Sequence, residues 1–449
     1  MMARIGAERV KTGSSVGRLA ALVGAYARSV SPAVLDQHPA GSVSSALGVW
    51  LLLAACAPAA RGDHRVELEE ALGCSVTEAS GLLAAFMADP PPALQAALAV
   101  WVAALDATDE LSAWVRGLPD QVQSGFMPTQ AEADAWAERE TLGLIHKFPL
   151  AIDAQTRIVL ASALATKVSW RLPFEVVPAE SHCAVSSPWR GAVSRLLWDG
   201  LADGHAMIAR TESAGVVAVH GAVAREELTV VSVSAAPEVD RASVVAGAYE
   251  VAATVCEEWG RGACSLYELP LGAGHSWELS EHEVQQFGSS SQPERIVGAA
   301  LPAWRAQEEL DLAGSPAFGA GPAIETLREL IGPRPDDECA AKQAAVAAFT
   351  RYGFEAAAVT AFGARTSAML AAPKRVVERR AVLRFDHPYA AVAIAGWPAM
   401  PRGPKDSPGA PGTPLSGLPL FTAWVHEPIE PEDDPSGSWR GSPRARADP

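Results

Sequence analysis

Positive charge is scarce in this chain. Its 449 residues carry 36 Lys and Arg against 52 Asp and Glu, for a net charge of −16. That balance argues against general affinity for nucleic acid or an anionic membrane surface, both of which reward clustered cations. No basic stripe with interleaved aromatics offsets it. Cysteine is sparse and unpatterned. Cys56, Cys74, Cys183, Cys256, Cys264 and Cys339 form no C-x-x-C spacing, which excludes a disulfide framework. Catalytic signatures are missing too: there is no G-x-x-x-x-G-K-[ST] and no H-E-x-x-H. Gly272-Ala-Gly274 is an isolated G-x-G and reads as a turn. His275 and His282 are the closest pair among the ten histidines. They sit in a stretch that reads as a loop, without Cys or paired carboxylate ligands. No metal, no cofactor and no enzymatic activity is expected.

Long hydrophobic runs are limited to one. Gly41 to Ala60 carries no charge, and Ala46 to Cys56 is strongly apolar. It starts behind an amphipathic helical stretch, is diluted by Ser and Gly, and is interrupted by Pro58. A buried core helix is the better reading than a membrane span or a secretory signal. No export route is visible, so the expectation is a cytoplasmic protein without membrane partners.

What is present is an apolar fraction of 49%, enough for a substantial core. Helical periodicity predicts helices over Ser14–Ser29, Ser44–Ala55, His64–Leu72, Ser75–Met87, Asp109–Arg116 and Pro128–Leu142. Ser75 and Thr129 read as N-caps. Ala96–Leu105 fits a strand or a buried helix. Arg157–Trp170 is near-continuously apolar and reads as a central strand buried on both faces. Later segments change character. Leu196–Thr211, Gly215–Val223, Leu228–Ala235, Ser265–Leu271 and Arg295–Ala306 read as strands, as do Tyr389–Gly396 and Leu420–Val425. Arg241–Val255 and Ala323–Ile331 read as helices. Helices early and strands late, without a βαβ repeat, give an α+β chain in one large domain.

Ala340–Phe349 followed by Arg351-Tyr352-Gly353-Phe354-Glu355-Ala356-Ala357-Ala358-Val359-Thr360 is ambiguous. Propensity alone makes it two Ala-rich helices around a glycine stop.

The order of segments resembles the serpin family from about Gly13 to Pro431. Trp136 to Ile145 is similar to its W-x-x-x-x-T-x-G-x-I pattern. Thr156 to Phe174 resembles its central strand of sheet A, with Trp170 at the end. Leu301-Pro302-Ala-Trp-Arg followed by Asp311-Leu, Phe385-Asp-His-Pro388-Tyr389, and Leu420 to Pro428 resemble later family segments. The resemblance implies an α+β serpin fold spanning 13–431. It implies a central mixed sheet A, two further sheets, about eight or nine helices and an exposed reactive-centre loop at about 353–380. A Pro/Gly-rich insert (398–419) and a disordered tail (432–449) complete the expected organisation.

On that reading Gly353 to Thr360 is the loop hinge. The small residues Ala356–Ala358 suit passage into a sheet, and Gly353 allows a swivel. By strand alternation Phe354 faces in and Glu355 out. Phe354 stands where the family has Thr or Ser, so its ring is expected to slow entry or to cost ~1–3 kcal/mol of overpacking. Arg351-Tyr352 replaces an acidic pair, which removes an expected ion pair. Family spacing puts the scissile bond at Ser367-Ala368 counting from the hinge, or near Lys374-Arg375 counting back from Phe385. Arg365-Thr366 is a third choice. Trp170, Ser162 and Gln343 fall at the positions that control sheet opening. The implied function is suicide-substrate inhibition of a serine protease by a monomer, without nucleic-acid partners. The alternative is a non-inhibitory binding protein whose loop is a plain substrate. Many serpins act outside the cell, so the family keeps an extracellular site open.

Overall fold

The computed structural model describes residues 9–38, 40–103, 108–153, 155–200, 202, 205–255, 263–264, 266–286, 294–332, 341–354, 374–398 and 415–432. Eight α-helices occur among them. They are α1 (Arg9–Gln37), α2 (Ala46–Cys56), α3 (Gly62–Leu72), α4 (Val76–Ala88), α5 (Asp109–Gly117), α6 (Gln130–Glu140), α7 (Arg241–Val255) and α8 (Ala320–Ile331). Side-chain chemistry sets their ends. Ser45, Ser75 and Thr108 accept the first free backbone N–H groups of α2, α4 and α5. Thr129 and Glu132 close a reciprocal capping box on α6. α3 stops at Gly73, whose φ of 69° is open to glycine at little cost. The uncharged run is α2, buried along most of its length in the main core. No single helix among the described residues is long and apolar enough to cross a membrane.

The strands form four hydrogen-bonded ladders, the last two of which share the run Ile158–Ser169 and make up one divided sheet. One has six strands in the order Ser42–Ser44, Pro419–Val425, Tyr389–Ala395, Leu228–Ser234, Gly215–Val223 and Ala206–Thr211. Its strands Leu228–Ser234 and Tyr389–Ala395 are buried at every residue. α7 and the main core cover the two faces, so continuous apolar runs are required there. A second sheet runs in the order Gly272–Ala273, Trp277–Gln286, Lys374–Arg384, Glu294–Leu301, Arg195–Asp199 and Glu175–Pro178.

The third sheet is divided into two ladders. Its strands are β1 (Leu94–Val102), β2 (Gln123–Phe126), β3 (Ile158–Thr166), β4 (Val168–Ser169), β5 (Trp304–Asp311), β6 (Lys342–Phe349) and β7 (Gly353–Phe354). One ladder has the order β2-β1-β3, the other β5-β6-β7-β4. α6 packs Trp136 and Ala137 on the outer face of β1 and β3, against Trp101, Val159, Ala161 and Ala163.

Several sequence expectations need correction. β3 alternates instead of being buried on both faces: Val159, Ala161, Ala163 and Ala165 are buried, while Ile158, Leu160 and Leu164 are half-buried. The half-buried face looks onto the division. Ser265–Leu271 is not a strand; its described part is a short 3-10 turn at Leu266–Glu268. The stretch around His282 is no loop but the strand Trp277–Gln286. Its charged residues hid the pattern, because Glu278 and Glu281 are paired there with Arg384 and Arg379. Arg295–Ala306 is two strands, since Pro302 has no N–H to continue a ladder. Leu196–Thr211 likewise splits between two sheets. Ala96–Leu105 resolves as the strand β1.

Candidate functional site

The site is the line along which the third sheet divides. It begins at a tight turn, Thr350–Gly353, that follows β6. Thr350 Oγ1 donates to Gly353 O (3.0 Å) and accepts from the backbone N–H of Tyr352 and Gly353 (both 3.2 Å). One hydroxyl therefore closes the turn, and Gly353 is free to start β7 as a strand residue. β7 then lies between two neighbours. Phe354 pairs with Phe349 of β6, and Gly353 and Phe354 pair with Ser169 and Val168 of β4, antiparallel on both sides. Gly353 and Phe354, where the hinge is expected to begin, thus form a rung of a strand inside the sheet.

Backbone groups hold this rung from the β4 side. Trp170 donates from its N to Tyr352 O and from Nε1 to Thr350 O, both at 2.9 Å. Phe174 N donates to Arg351 O (3.0 Å), and Arg351 Nε returns a bond to Phe174 O (3.2 Å). Arg351-Tyr352 is expected to remove an ion pair, and hydrogen bonds anchor the segment here. Four hydrogen bonds of and to the main chain stand where a side-chain ion pair was absent.

Phe354 faces inward as strand alternation predicts. Its ring is 2% exposed and packs edge-on to Trp304 at 6.2 Å, with Phe421 at 6.5 Å. Phe349 stacks on Trp304, and Trp170 and Phe174 complete the aromatic roof. The ring is therefore already buried while the sheet is divided.

Below β7 no ladder joins β3 to β6 among the described residues. The two strands instead line a cavity of about 50 Å³. Leu160, Ser162 and Leu164 come from β3, Lys342, Gln343 and Ala344 from β6, and Ser45, Gly48 and Leu52 form the floor on α2. Gln343 spends its amide on α2: Nε2 donates to Ser45 O (2.8 Å) and Oε1 accepts from Ser45 N (3.0 Å). Ser162 stands on the opposite wall. Gly48 fits between them; a Cβ there would lie 3.3 Å from Gln343 Nε2, Ser162 Oγ and Leu164 Cδ1. The cavity has room for water or a methyl group, so a further strand requires the walls to part.

Trp170, Ser162 and Gln343 are therefore brought together along one seam. Glu355, Ala356, Ala357, Ala358, Val359 and Thr360 lie outside the described residues, as do Arg365, Thr366, Ser367 and Ala368. Lys374 and Arg375 open the strand Lys374–Arg384, where they pair with Gln286 and Gln285. Sequence reading missed Thr350, Trp304, Phe421, Ser45 and Gly48. Only Ser45 carried a usable signal, as the polar residue ahead of an apolar helix. Gly13-Ser-Ser15-Val-Gly17 has the spacing of a nucleophile elbow, but it lies within α1 and not at a strand-to-helix turn. Among the described residues, no three His, Cys, Asp or Glu converge as metal ligands.

No protein-family model matches the sequence. No curated protein matches it either. Solved structures do. Human thyroxine-binding globulin in complex with thyroxine aligns over 93% of this chain and 100% of its own, with TM-score 0.59 and 14% identity. The chain has the serpin fold. Tengpin, a thermophilic serpin in its native state, matches over 95% of this chain and 96% of its own (TM-score 0.55, 13% identity). Serpin48 of the insect Tenebrio molitor matches over 94% and 99% (TM-score 0.53, 14% identity). The serpin-like order of segments in the sequence is thus borne out by the fold.

Proposed function

We propose that this serpin-fold chain inhibits a serine endopeptidase as a suicide substrate and is itself no catalyst. A protease attacks the loop that follows Phe354, its serine forming an ester with the carbonyl of the scissile residue as the peptide bond breaks. The freed upstream strand then enters between β3 and β6, carrying the acylated protease before water can release it. The observation that supports this reading most is the seated hinge, because Gly353 and Phe354 already pair with both neighbours of the missing strand. Carrying the register Phe354↔Val168 down the sheet one residue at a time would bring Ala364 opposite Ile158. About ten residues would then gain two ladders. At about 0.5–1.5 kcal/mol net per hydrogen bond, the gain is on the order of 10 kcal/mol.

Cleavage at Arg365-Thr366 or Ser367-Ala368 would leave enough strand to fill the seam. Cleavage at Lys374-Arg375 would first require that pair to peel from its strand. The alternative reading is a serpin-fold binding protein whose loop is only cut. The observation that favours it is the anchoring of Phe354, which withholds the first loop residue from the protease. One experiment separates the two: nick the loop with a broad-specificity protease and measure thermal unfolding. A large rise supports insertion, and unchanged melting overturns it. Denaturant-stable complexes with elastase-, subtilisin- or trypsin-like enzymes would then identify the target class.

A further inference from the structure

The two walls of the seam share α2 as a floor, and both reach the main core. The first wall, β1 and β3, also carries α6 in an apolar cluster of its own on the outer face, whereas the second wall, β6, comes after α8 in the chain. At the foot of β3 a side chain crosses from the first wall to α8. Arg157 is 8% exposed; its Nη2 donates to Ile331 O (2.6 Å) and its Nη1 to Gly332 O (2.9 Å). These carbonyls stand at the C-terminus of α8, where helix geometry leaves acceptors unpaired and the helix dipole is negative. A guanidinium fork meets both demands at once. The main chain of Arg157 stays with the first wall, its carbonyl accepting from Ala103 N (2.8 Å) beside β1.

We infer that Arg157 is a latch at the foot of the divided sheet, a positioning residue that opposes completion of loop insertion. This rests on the insertion mechanism proposed above. Neighbouring strands are spaced ~4.8 Å apart, so a new strand moves the walls apart by about that distance. Hydrogen bonds of 2.6 and 2.9 Å tolerate only a fraction of such a movement. The projected register brings the inserting strand to Ile158, the residue next to the latch. Insertion over the upper rungs leaves the latch intact; the last rungs break it.

The test compares intact and loop-cleaved full-length protein for wild type, Arg157→Ala and Arg157→Lys. A latch broken by insertion stabilises only the intact form. Arg157→Ala should lower the unfolding temperature of intact protein by about 3 °C and leave that of cleaved protein unchanged. Arg157→Lys, which keeps the charge but loses the fork, should fall between. On warming, uncleaved Arg157→Ala should convert to the inserted form about tenfold faster than wild type. Equal losses in intact and cleaved protein would show an ordinary structural contact and overturn the latch while leaving insertion standing. Unchanged melting of wild type on cleavage would overturn insertion, and the latch with it. If Arg157→Ala fails to fold, Arg157→Lys carries the same comparison at smaller amplitude.

Discussion

Two sheets of this molecule are built from similar small apolar residues, yet one is continuous and the other divided. In the continuous sheet, Leu228–Val233 pairs with Ala390–Ala395 at six consecutive positions, and every residue is buried. In the divided sheet, β3 and β6 offer comparable runs of Ala and Leu, but among the described residues no ladder joins them, and β7 links β6 to β4 at the top. Residue size does not explain the difference. Gln343, the polar group on the β6 wall, is committed to Ser45 of α2 and does not reach across the seam. A split floor does not explain it either, because both walls rest on α2 and the same main core. What differs among the described residues is the ladder itself: none pairs Ile158–Thr166 with Lys342–Phe349.

The sharpest way to break this comparison is to let the divided sheet close. Cutting the loop should raise the unfolding temperature by about 10 °C, taking a gain on the order of 10 kcal/mol over a chain of this size. Amides of β3 and β6 should become slower to exchange, while those of Tyr389–Ala395 remain unchanged. Unchanged exchange in β3 would mean that the seam is a permanent feature of the fold.

The next effect separates the head of the seam from its foot. Phe354 is already buried, so Phe354→Ala removes packing from the intact and the inserted states alike. A loss of about 3–5 kcal/mol is expected in both, unlike the one-sided loss expected at Arg157. A loss confined to the intact form would show that Phe354 leaves its pocket during insertion. A smaller effect is expected at the floor. Gly48→Ala places a methyl among Gln343, Ser162 and Leu164 and gains up to about 1 kcal/mol of helix propensity. The methyl's contacts of 3.3 Å with three neighbours offset that gain, so the intact protein should change little. The cleaved protein should lose stability, because inward side chains of the new strand need that space. Equal effects in both forms would place the inserted strand away from α2.

Local signals made much of this legible. Ser75 and Thr129 marked their helix starts, Arg241–Val255 matched its helix from end to end, and alternation placed Phe354 inward. What stayed hidden depends on distant residues. Propensity alone makes Lys342–Phe349 a helix; the order of segments over the whole chain makes it a strand, and Trp304–Asp311 fixes that strand. The seated hinge depends on Trp170 and Phe174, about 180 residues earlier in the chain. No local pattern encodes that juxtaposition, nor the pocket that Trp304 and Phe421 make for Phe354.

The smallest effect is expected from pH, and it probes the ground between the two sheets. His205 lies near Asp199 and His220, and His220 packs against Phe174 beneath the hinge. Burial holds the His205 imidazole below its ordinary range, with the neighbouring His220 adding to the effect. Burial likewise lowers His182 and His275. A histidine whose folded pKa is depressed is protonated first in the unfolded chain, at about pH 6.5. Its contribution to stability is therefore complete above that value and is lost as pH falls through the lower folded one. The carboxylates held below their usual range, Asp134, Asp153 and Asp240 among them, act in the same direction but only in more acidic solution. Between about pH 6.5 and 5 the decline thus belongs to the histidines. The denaturation midpoint should drop modestly over that window, and His205→Asn should flatten part of the slope. An unchanged slope in the variant would assign the decline to His182 and His275, and separate the ground beneath Phe174 from the titration.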